Sequence, residues 1–242
     1  MHFNLVTIFP ELIQDFVSHG IISNAISGNK LSISTWNPRE FSQDKNGRLD
    51  DRPYGGGSGM VLQPEPIIKT VEAIKKENKT YVVCMAPHGK VLNQEKLLEL
   101  SKKDNLTIIS GRYEGIDNRV EEACVDEVCS VGDYILNGGE LPALILLEGI
   151  SRLIAGVLGD DNSIVEESFN NGLLEFPQYT RPENSNYGNV PEVLLSGNHE
   201  EIRRWRLKES LRRTLSNRPD LIEIRELTSE EKELIDEIKD EG

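Results

Sequence analysis

Five short segments of the chain are rich in β-branched and aromatic residues and end in polar or Gly- and Pro-containing stretches. Such segments are typical of β-strands, and the later ones are apolar enough to be buried on both faces. The predicted strands cover residues 3–9, 31–36, 81–86, 106–110 and 125–131.

Helical patterns lie between and after these strands. One helix is expected to start at Pro64 and Pro66, because proline fits the first helical turn, and to run to about Asn78. Strands that alternate with helices predict an α/β layer with a mainly parallel sheet. The other predicted helices of this layer cover residues 94–102, 117–123 and 141–158.

The last of these helices is the longest apolar segment in the chain. It contains Glu148 and Arg152, whose charges would be costly in lipid, so we interpret residues 141–158 as a buried helix and expect no membrane span. Residues 1–10 have neither the basic start nor the apolar run of a secretory signal.

Length and cysteine usage limit the class of protein. The 242 residues are 37% hydrophobic, which suffices for one sizeable core, or for a core domain plus a smaller one. Cys84, Cys124 and Cys129 are odd in number and form no C-x-x-C pair, so they indicate neither a disulfide framework nor a thiolate zinc site. We therefore expect a cytoplasmic protein.

The charge of the chain is segregated. A formal net charge of -14 argues against indiscriminate binding to nucleic acid, so any RNA contact must be local. Residues 202–218 carry a strong basic excess opposed only by Glu209, whereas the tail from Asp220 onward is mostly acidic. The basic residues of the segment are Arg203, Arg204, Arg206, Lys208, Arg212, Arg213 and Arg218.

This basic segment predicts an amphipathic helix. Asn198 is a favourable N-cap, with Glu201 three residues later as in a capping box. Arg204, Lys208 and Arg212 recur at i,i+4 and would form one charged stripe. Such a stripe is often only a solvated face, but in an acidic protein it favours a phosphate backbone as partner. The apolar stripe of the same helix would consist of Leu207, Leu211 and Leu215.

Several common active sites are missing from the sequence. It has no phosphate-binding G-x-x-x-x-G-K-[ST] loop, no G-x-S-x-G nucleophile elbow and no H-E-x-x-H zinc motif. The four histidines show no ligand spacing and are expected to be surface or capping residues. They are His2, His19, His88 and His199.

Four loops instead place Gly, Pro and polar residues together, and three of them directly follow predicted strands. Ligands of open α/β sheets bind at the carboxyl ends of strands, where glycine lets the backbone approach the ligand closely. A single loop of this kind could be merely a tight turn, but three consecutive strand ends indicate a binding site. The loops are residues 50–60, 85–89, 111–117 and 130–142.

Long segments of the chain resemble one family in the order that this family has them. They are GRYEGID, VGDYILNGGELP, GLLEFPQYTRP and PEVLLSGNHEEIRRWR. On these segments the chain is identified as a member of the bacterial tRNA (guanine-N1)-methyltransferases of the knotted SPOUT superfamily. The resemblance implies a trefoil-knotted α/β domain, a homodimer, and a C-terminal helical domain that grips tRNA.

The resemblance also implies the reaction and the domain boundaries. The methyl group of S-adenosylmethionine would go to N1 of the guanine immediately 3′ of the anticodon, guanosine 37. The expected parts are a knotted donor-binding domain (1–158), a mobile linker (159–172) and a helical tRNA-binding domain (173–242). Arg203, Arg204, Lys208 and Arg212 are the expected tRNA contacts.

By the same resemblance, the methyl donor would occupy a pocket of mostly small residues and backbone amides, which suits a bent adenosine ligand. Glu114 would help to bind Mg²⁺ there. The pocket residues are Met85, Ala86, Pro87, Gly111, Tyr113, Glu114, Gly115, Ser130, Val131, Gly132, Tyr134, Ile135, Leu136, Gly138, Gly139 and Pro142.

The reaction requires a base for the N1 proton and a group that stabilises the charge on O6. Arg152 and a linker carboxylate match these roles in the family. The linker reads VEESF, so Glu167 stands where the family typically has Asp, and Glu166 is a rival base. Taken alone, Arg152 would be interpreted as a helix-surface charge paired with Glu148 at i,i+4. Its position after an apolar helix and just before the linker favours the catalytic role.

Two alternative functions remain open at this point. One is a SPOUT methyltransferase that acts on a ribose hydroxyl or on another RNA base. The other is a non-catalytic RNA-binding module that retains a donor pocket, as the Glu167 departure allows. The intact GRYEGID and GGELP segments argue against the second alternative.

Overall fold

A computed structural model describes residues 1–158 and 167–241. The chain divides into two compact units, Met1–Gly159 and Asp160–Gly242. Glu166 lies outside the described residues. Within the described ranges, no helix has both the length and the apolar character that crossing a bilayer requires.

The first unit is built on a five-stranded parallel sheet in the order β2-β1-β6-β5-β7. The predicted parallel α/β architecture is therefore confirmed, whereas the knot stays a prediction. The sheet strands are β1 (His2–Val6), β2 (Ser32–Trp36), β5 (Tyr81–Val91), β6 (Asn105–Ser110) and β7 (Glu127–Ser130), and a short hairpin comprises β3 (Asp50–Asp51) and β4 (Val61–Leu62).

Helices in this unit follow the predicted pattern. Proline starts α1 and α3, and the side chains of Asn93 and Asp117 cap α4 and α5 by accepting backbone N–H groups. The helices are α1 (Pro10–Val17), α2 (Gly20–Ser27), α3 (Pro64–Glu77), α4 (Gln94–Leu100), α5 (Asn118–Cys124) and α6 (Glu140–Ser151).

Each face of the sheet has its own apolar core. Along β5, Val83 and Met85 pack into one core with α6, and Val82 and Cys84 pack into the other with α3. Side chains of a strand alternate between faces, so a strand buried on both faces is apolar throughout. This burial explains the continuous apolar runs in the sequence.

Strand β1, predicted to residue 9, ends at Val6, and β7, predicted from residue 125, begins at Glu127. Two other predicted boundaries were wrong by a wider margin. The helix expected over 141–158 ends at Ser151, and tight turns follow, among them Gly156 with a φ of 74° that other residues rarely adopt. Ile154 and Val157 still pack on the core, which is why the apolar pattern continues beyond the helix. Strand β5 runs past the predicted residue 86, because its pairing with β7 resumes at Lys90 after an irregularity.

In the second unit, the described residues 167–191 are turns and irregular segments with a short hairpin of β8 (Asn184–Ser185) and β9 (Gly188–Asn189), and helices follow. Its core contains Leu173, Leu211, Leu234 and Ile235. The helices described are α7 (Glu192–Leu195), α8 (His199–Asn217), α9 (Pro219–Glu223) and α10 (Ser229–Asp240).

Candidate active site

A cavity of about 320 Å³ lies in the first unit at the carboxyl ends of β6 and β7 and at the irregularity within β5. Met85 of β5 pairs with Ser110 at the end of β6, so residues 86–89, which the sequence predicted as a loop after the strand, meet the loops that follow β6 and β7. The predicted donor-pocket residues all line this one cavity, although they come from separate segments. They are Met85, Ala86, Pro87, Gly111, Tyr113, Glu114, Gly115, Ser130, Val131, Gly132, Tyr134, Ile135, Leu136, Gly138, Gly139 and Pro142.

Two glycines keep backbone close to the cavity. A Cβ at Gly139 would lie 2.8 Å from both the Gly111 nitrogen and the Ser110 Cα, so only glycine allows this approach of two loops. At Gly115, with φ 117°, a Cβ would meet nothing within 4 Å. The Gly115 backbone therefore faces open space in which a ligand can bind.

Exposed apolar side chains surround this backbone. Ile135 is 80% exposed, Tyr113 54% and Tyr134 53%, and all three line the cavity. Large apolar groups exposed at a cavity are typical of a binding site for a partly apolar ligand.

A buried ion pair supports the loops, and the sequence analysis missed it. The Glu140 side chain is 1% exposed and accepts hydrogen bonds from Arg112 Nε (2.7 Å) and from Thr7 Oγ1 (2.9 Å). The guanidinium of Arg112 also lies over the Phe9 ring. Arg112 belongs to the GRYEGID motif and Glu140 to the GGELP motif. The sequence therefore contained both residues, but it did not show that they pair across 28 residues.

Other residues that the prediction did not include also line the cavity. Burial raises the pKa of Cys84 to about 12 and that of Cys129 to about 11, so both thiols stay protonated at neutral pH. They therefore offer no thiolate nucleophile. His88 at the cavity lies within hydrogen-bond distance of Glu121, 3.1 Å from its carboxylate.

Glu114, the predicted magnesium ligand, lines the cavity and is exposed. Its backbone N–H donates to the Met60 carbonyl, which joins the Gly-rich loop of residues 50–60 to the cavity. In residues 1–158 and 167–241, no three or more His, Cys, Asp or Glu side chains cluster as metal ligands would. The arrangement of the described residues does not fit a protein-built metal site.

The two predicted catalytic residues belong to different units of the chain. Arg152 is the C-cap of α6 and is half-buried. Glu167 is half-buried, and its carbonyl accepts the N–H of Asn170. Their roles stay predictions.

The predicted amphipathic helix is present as α8. The Asn198 side chain accepts the N–H groups of Glu200 and Glu201, and the stripe of Leu207, Leu211 and Leu215 packs into the core of the second unit. The N-cap and the apolar stripe are thus confirmed.

The charged stripe of α8 has partners that the sequence analysis did not foresee. Arg203, Arg204, Lys208 and Arg212 all form ion pairs with glutamates of the C-terminal segment. Arg204 and Lys208 together lower the pKa of one of these, Glu237, to about 2.

Comparison with known proteins agrees with the geometry. The sequence profile of the family described as tRNA (Guanine-1)-methyltransferase TrmD matches residues 1–224. Curated relatives named tRNA (guanine-N(1)-)-methyltransferase occur in Pseudoalteromonas atlantica (48% identity; 99% of this chain and 91% of the relative) and in Dictyoglomus turgidum (48% identity; 100% and 98%). A third occurs in Vibrio vulnificus (47% identity; 98% and 96%). With a match over nearly its whole length, the chain belongs to the bacterial tRNA (guanine-N1)-methyltransferase family.

Proposed function

We propose that this protein transfers a methyl group from S-adenosylmethionine to N1 of the guanine immediately 3′ of the tRNA anticodon, guanosine 37. The observation that carries the proposal is the single cavity at the strand ends, which all the expected donor-pocket residues line. This cavity occurs in a chain whose family membership extends through residues 1–224.

The residues of the cavity fit an adenosine-containing methyl donor. The open space beside Gly115 leaves room for a ligand, and the exposed side chains of Tyr113 and Ile135 offer apolar surface for a purine. When bound, S-adenosylmethionine supplies an electrophilic methyl group.

The acceptor guanine requires proton removal. N1 of guanine carries a proton at neutral pH, and its loss spreads negative charge to O6. In the proposed mechanism Glu167 accepts this proton and Arg152 stabilises the charge on O6, as a preorganised cation does at other anionic transition states. Glu114 is the one proposed contact to Mg²⁺, and no step here depends on the metal.

The proposal is tested with labelled methyl donor and two tRNA transcripts that differ only in guanine or adenine next to the anticodon. We expect label in the guanine transcript and none in the adenine transcript, because adenine has neither the N1 proton that Glu167 would accept nor the O6 that Arg152 would contact. Equal labelling of both would contradict base methylation and support a ribose hydroxyl as acceptor. Labelling of neither would support the non-catalytic RNA-binding module.

We further propose that the active form is a homodimer. The neighbouring helices α1 and α6 each expose an apolar pair one helical turn apart: Leu12 (47%) and Phe16 (36%), and Leu141 (60%) and Ile145 (50%). Contiguous exposed apolar surface is typical of protein interfaces, and one self-complementary patch suits a two-fold dimer.

The dimer predicts complementation between two inactive variants. Arg152→Ala removes the O6 contact, and Gly139→Ala places a Cβ 2.8 Å from Gly111 backbone in the donor cavity. If Arg152 of one subunit serves the donor cavity of the other, a mixture of the two folded variants should regain methyl transfer. The control is each variant alone at the same total concentration. A monomeric wild-type enzyme at assay concentration would contradict the proposal.

A further inference from the structure

The basic stripe of α8 is covered along its length by the acidic helix α10 and the residue that follows it. Arg203 Nη2 lies 2.6 Å from Glu230, and Arg204 Nη2 lies 2.5 Å from Glu237. Further along, Lys208 Nζ is 2.7 Å from Glu237, and Glu241 accepts from both Lys208 (2.8 Å) and Arg212 (2.5 Å). The pairing thus continues over successive turns of both helices.

The spacing of the glutamates explains this match. Glu230, Glu233, Glu237 and Glu241 recur at i,i+3 or i,i+4 and therefore lie on one face of α10. The stripe on α8 has the same helical repeat. The carboxylate oxygens thus occupy donors of the stripe that the phosphate oxygens of an RNA backbone would also need, because both are anions that accept hydrogen bonds from Arg and Lys.

Apolar side chains hold α10 in this position. Leu234 is 0% exposed and Ile235 6%, and both pack into the core that Leu211 of α8 shares. Surface ion pairs alone stabilise a contact weakly. Since the apolar contacts anchor the helix, the glutamates remain beside the stripe without depending on their own ion pairs.

With α10 packed against it, the basic face of α8 carries more negative than positive charge. The cations Arg203, Arg204, Lys208 and Arg212 are paired with Glu200, Glu209, Glu230, Glu233, Glu237 and Glu241. Carboxylates therefore outnumber cations on this face, and such a face repels a phosphate backbone.

We propose that α10 is an intramolecular acidic cover that competes with RNA phosphates for the basic stripe of α8 and so suppresses indiscriminate RNA binding. The inference rests on the proposed function, since it assumes that the protein encounters RNA. It changes the role expected for Arg203, Arg204, Lys208 and Arg212: their affinity for phosphate is masked by the chain itself.

The test unmasks the stripe without disturbing the apolar packing. Glu237→Gln with Glu241→Gln removes the carboxylate charges beside Arg204, Lys208 and Arg212 and keeps the side-chain size. The control, Glu223→Gln with Glu226→Gln, changes net charge equally at exposed positions of the same unit. The probe is a fluorescein-labelled oligouridylate, which contains no guanine, and its anisotropy gives Kd at several salt concentrations.

We expect tighter binding by the unmasked variant than by the control. Each new phosphate contact to a single strand contributes about 0.7 to the slope of log K against log salt. Lys208 loses both of its carboxylate partners, whereas Arg204 keeps Glu233 and Arg212 keeps Glu209, so the slope should steepen by about 0.7 or more. Adding Lys208→Gln to the unmasked variant should reduce this increase in slope by about 0.7. Equal affinity and slope in the unmasked and control variants would overturn the proposal, as would a gain that Lys208→Gln does not reduce.

The outcome is separable from that of the proposed function. Methyl transfer to the guanine transcript by the wild-type enzyme tests the reaction, whereas oligouridylate binding tests the cover. A gain in oligouridylate binding without wild-type methyl transfer would retain the cover and reject the reaction. Methyl transfer by the wild-type enzyme without a gain in oligouridylate binding by the unmasked variant would reject the cover and retain the reaction.

Discussion

Replacing Glu167 by glutamine is expected to lower kcat by about 100- to 10,000-fold, the usual contribution of a general base. Glutamine has nearly the same size but cannot accept the N1 proton, so only the chemical step should suffer. Because the donor cavity belongs to a different part of the chain, the Kd for S-adenosylmethionine should remain close to wild type. Single-turnover methyl transfer and equilibrium donor binding measure the two quantities separately.

Two matched variants decide whether the effect belongs to this carboxylate. Glu167→Asp keeps an ionisable group and should retain substantial activity, although a linker adapted to the longer side chain could make it slower. Glu166→Gln makes the same chemical change one residue earlier and should turn over normally. If Glu166→Gln is the inactive variant, the base is Glu166, and if neither variant loses activity, the carboxylate-base mechanism fails.

Replacing Glu140 by alanine is expected to lower the free energy of unfolding by about 3–5 kcal/mol, as removal of one partner from a buried ion pair commonly does. The Glu140 carboxylate is 1% exposed and binds Arg112 and Thr7, so alanine leaves a guanidinium and a hydroxyl without their buried acceptor. Arg112 and the neighbouring Gly139 also line the donor cavity. Donor affinity should therefore fall together with stability.

The urea midpoint measures the stability loss, and calorimetric titration with S-adenosylmethionine measures the loss of affinity. Glu140→Gln retains an oxygen for one of the two donors and should lose less on both measures. Glu148→Ala, an exposed position on the same helix, should stay within about 0.5 kcal/mol of wild type. Wild-type donor affinity in a destabilised Glu140→Ala protein would show that the ion pair does not position the cavity.

The sequence by itself determined the elements and their kind. The segment that forms β6 is rich in apolar residues because both faces of that strand are buried, and burial of this type is visible in local composition. Prolines at the start of α3 and the Asn198 cap of α8 are equally local signals. The motif loops were also predictable from local composition, because glycine is required where one backbone segment approaches another closely, as Gly139 approaches Gly111.

The extent of two elements needed information from distant residues. The apolar run beyond Ser151 looks helical because Ile154 and Val157 are core residues, but the chain there turns through Gly156 in a conformation that a helix does not contain. In β5, the strand resumes after residue 86 because β7 offers a partner at Lys90. A pattern of apolar positions reports burial, and burial does not specify the backbone that achieves it.

Only the tertiary structure decided which charges are paired. Arg112 and Glu140 are separated by 28 residues, and the pairs between α8 and the C-terminal glutamates span about 30 residues, for example 33 from Arg204 to Glu237. The sequence shows a basic segment followed by an acidic one, which is equally compatible with two solvated faces, with a phosphate partner, or with mutual pairing. Packing of Leu234 and Ile235 against α8 brings the two faces together, because apolar contacts set the position of a helix and surface charges then pair with whatever lies opposite.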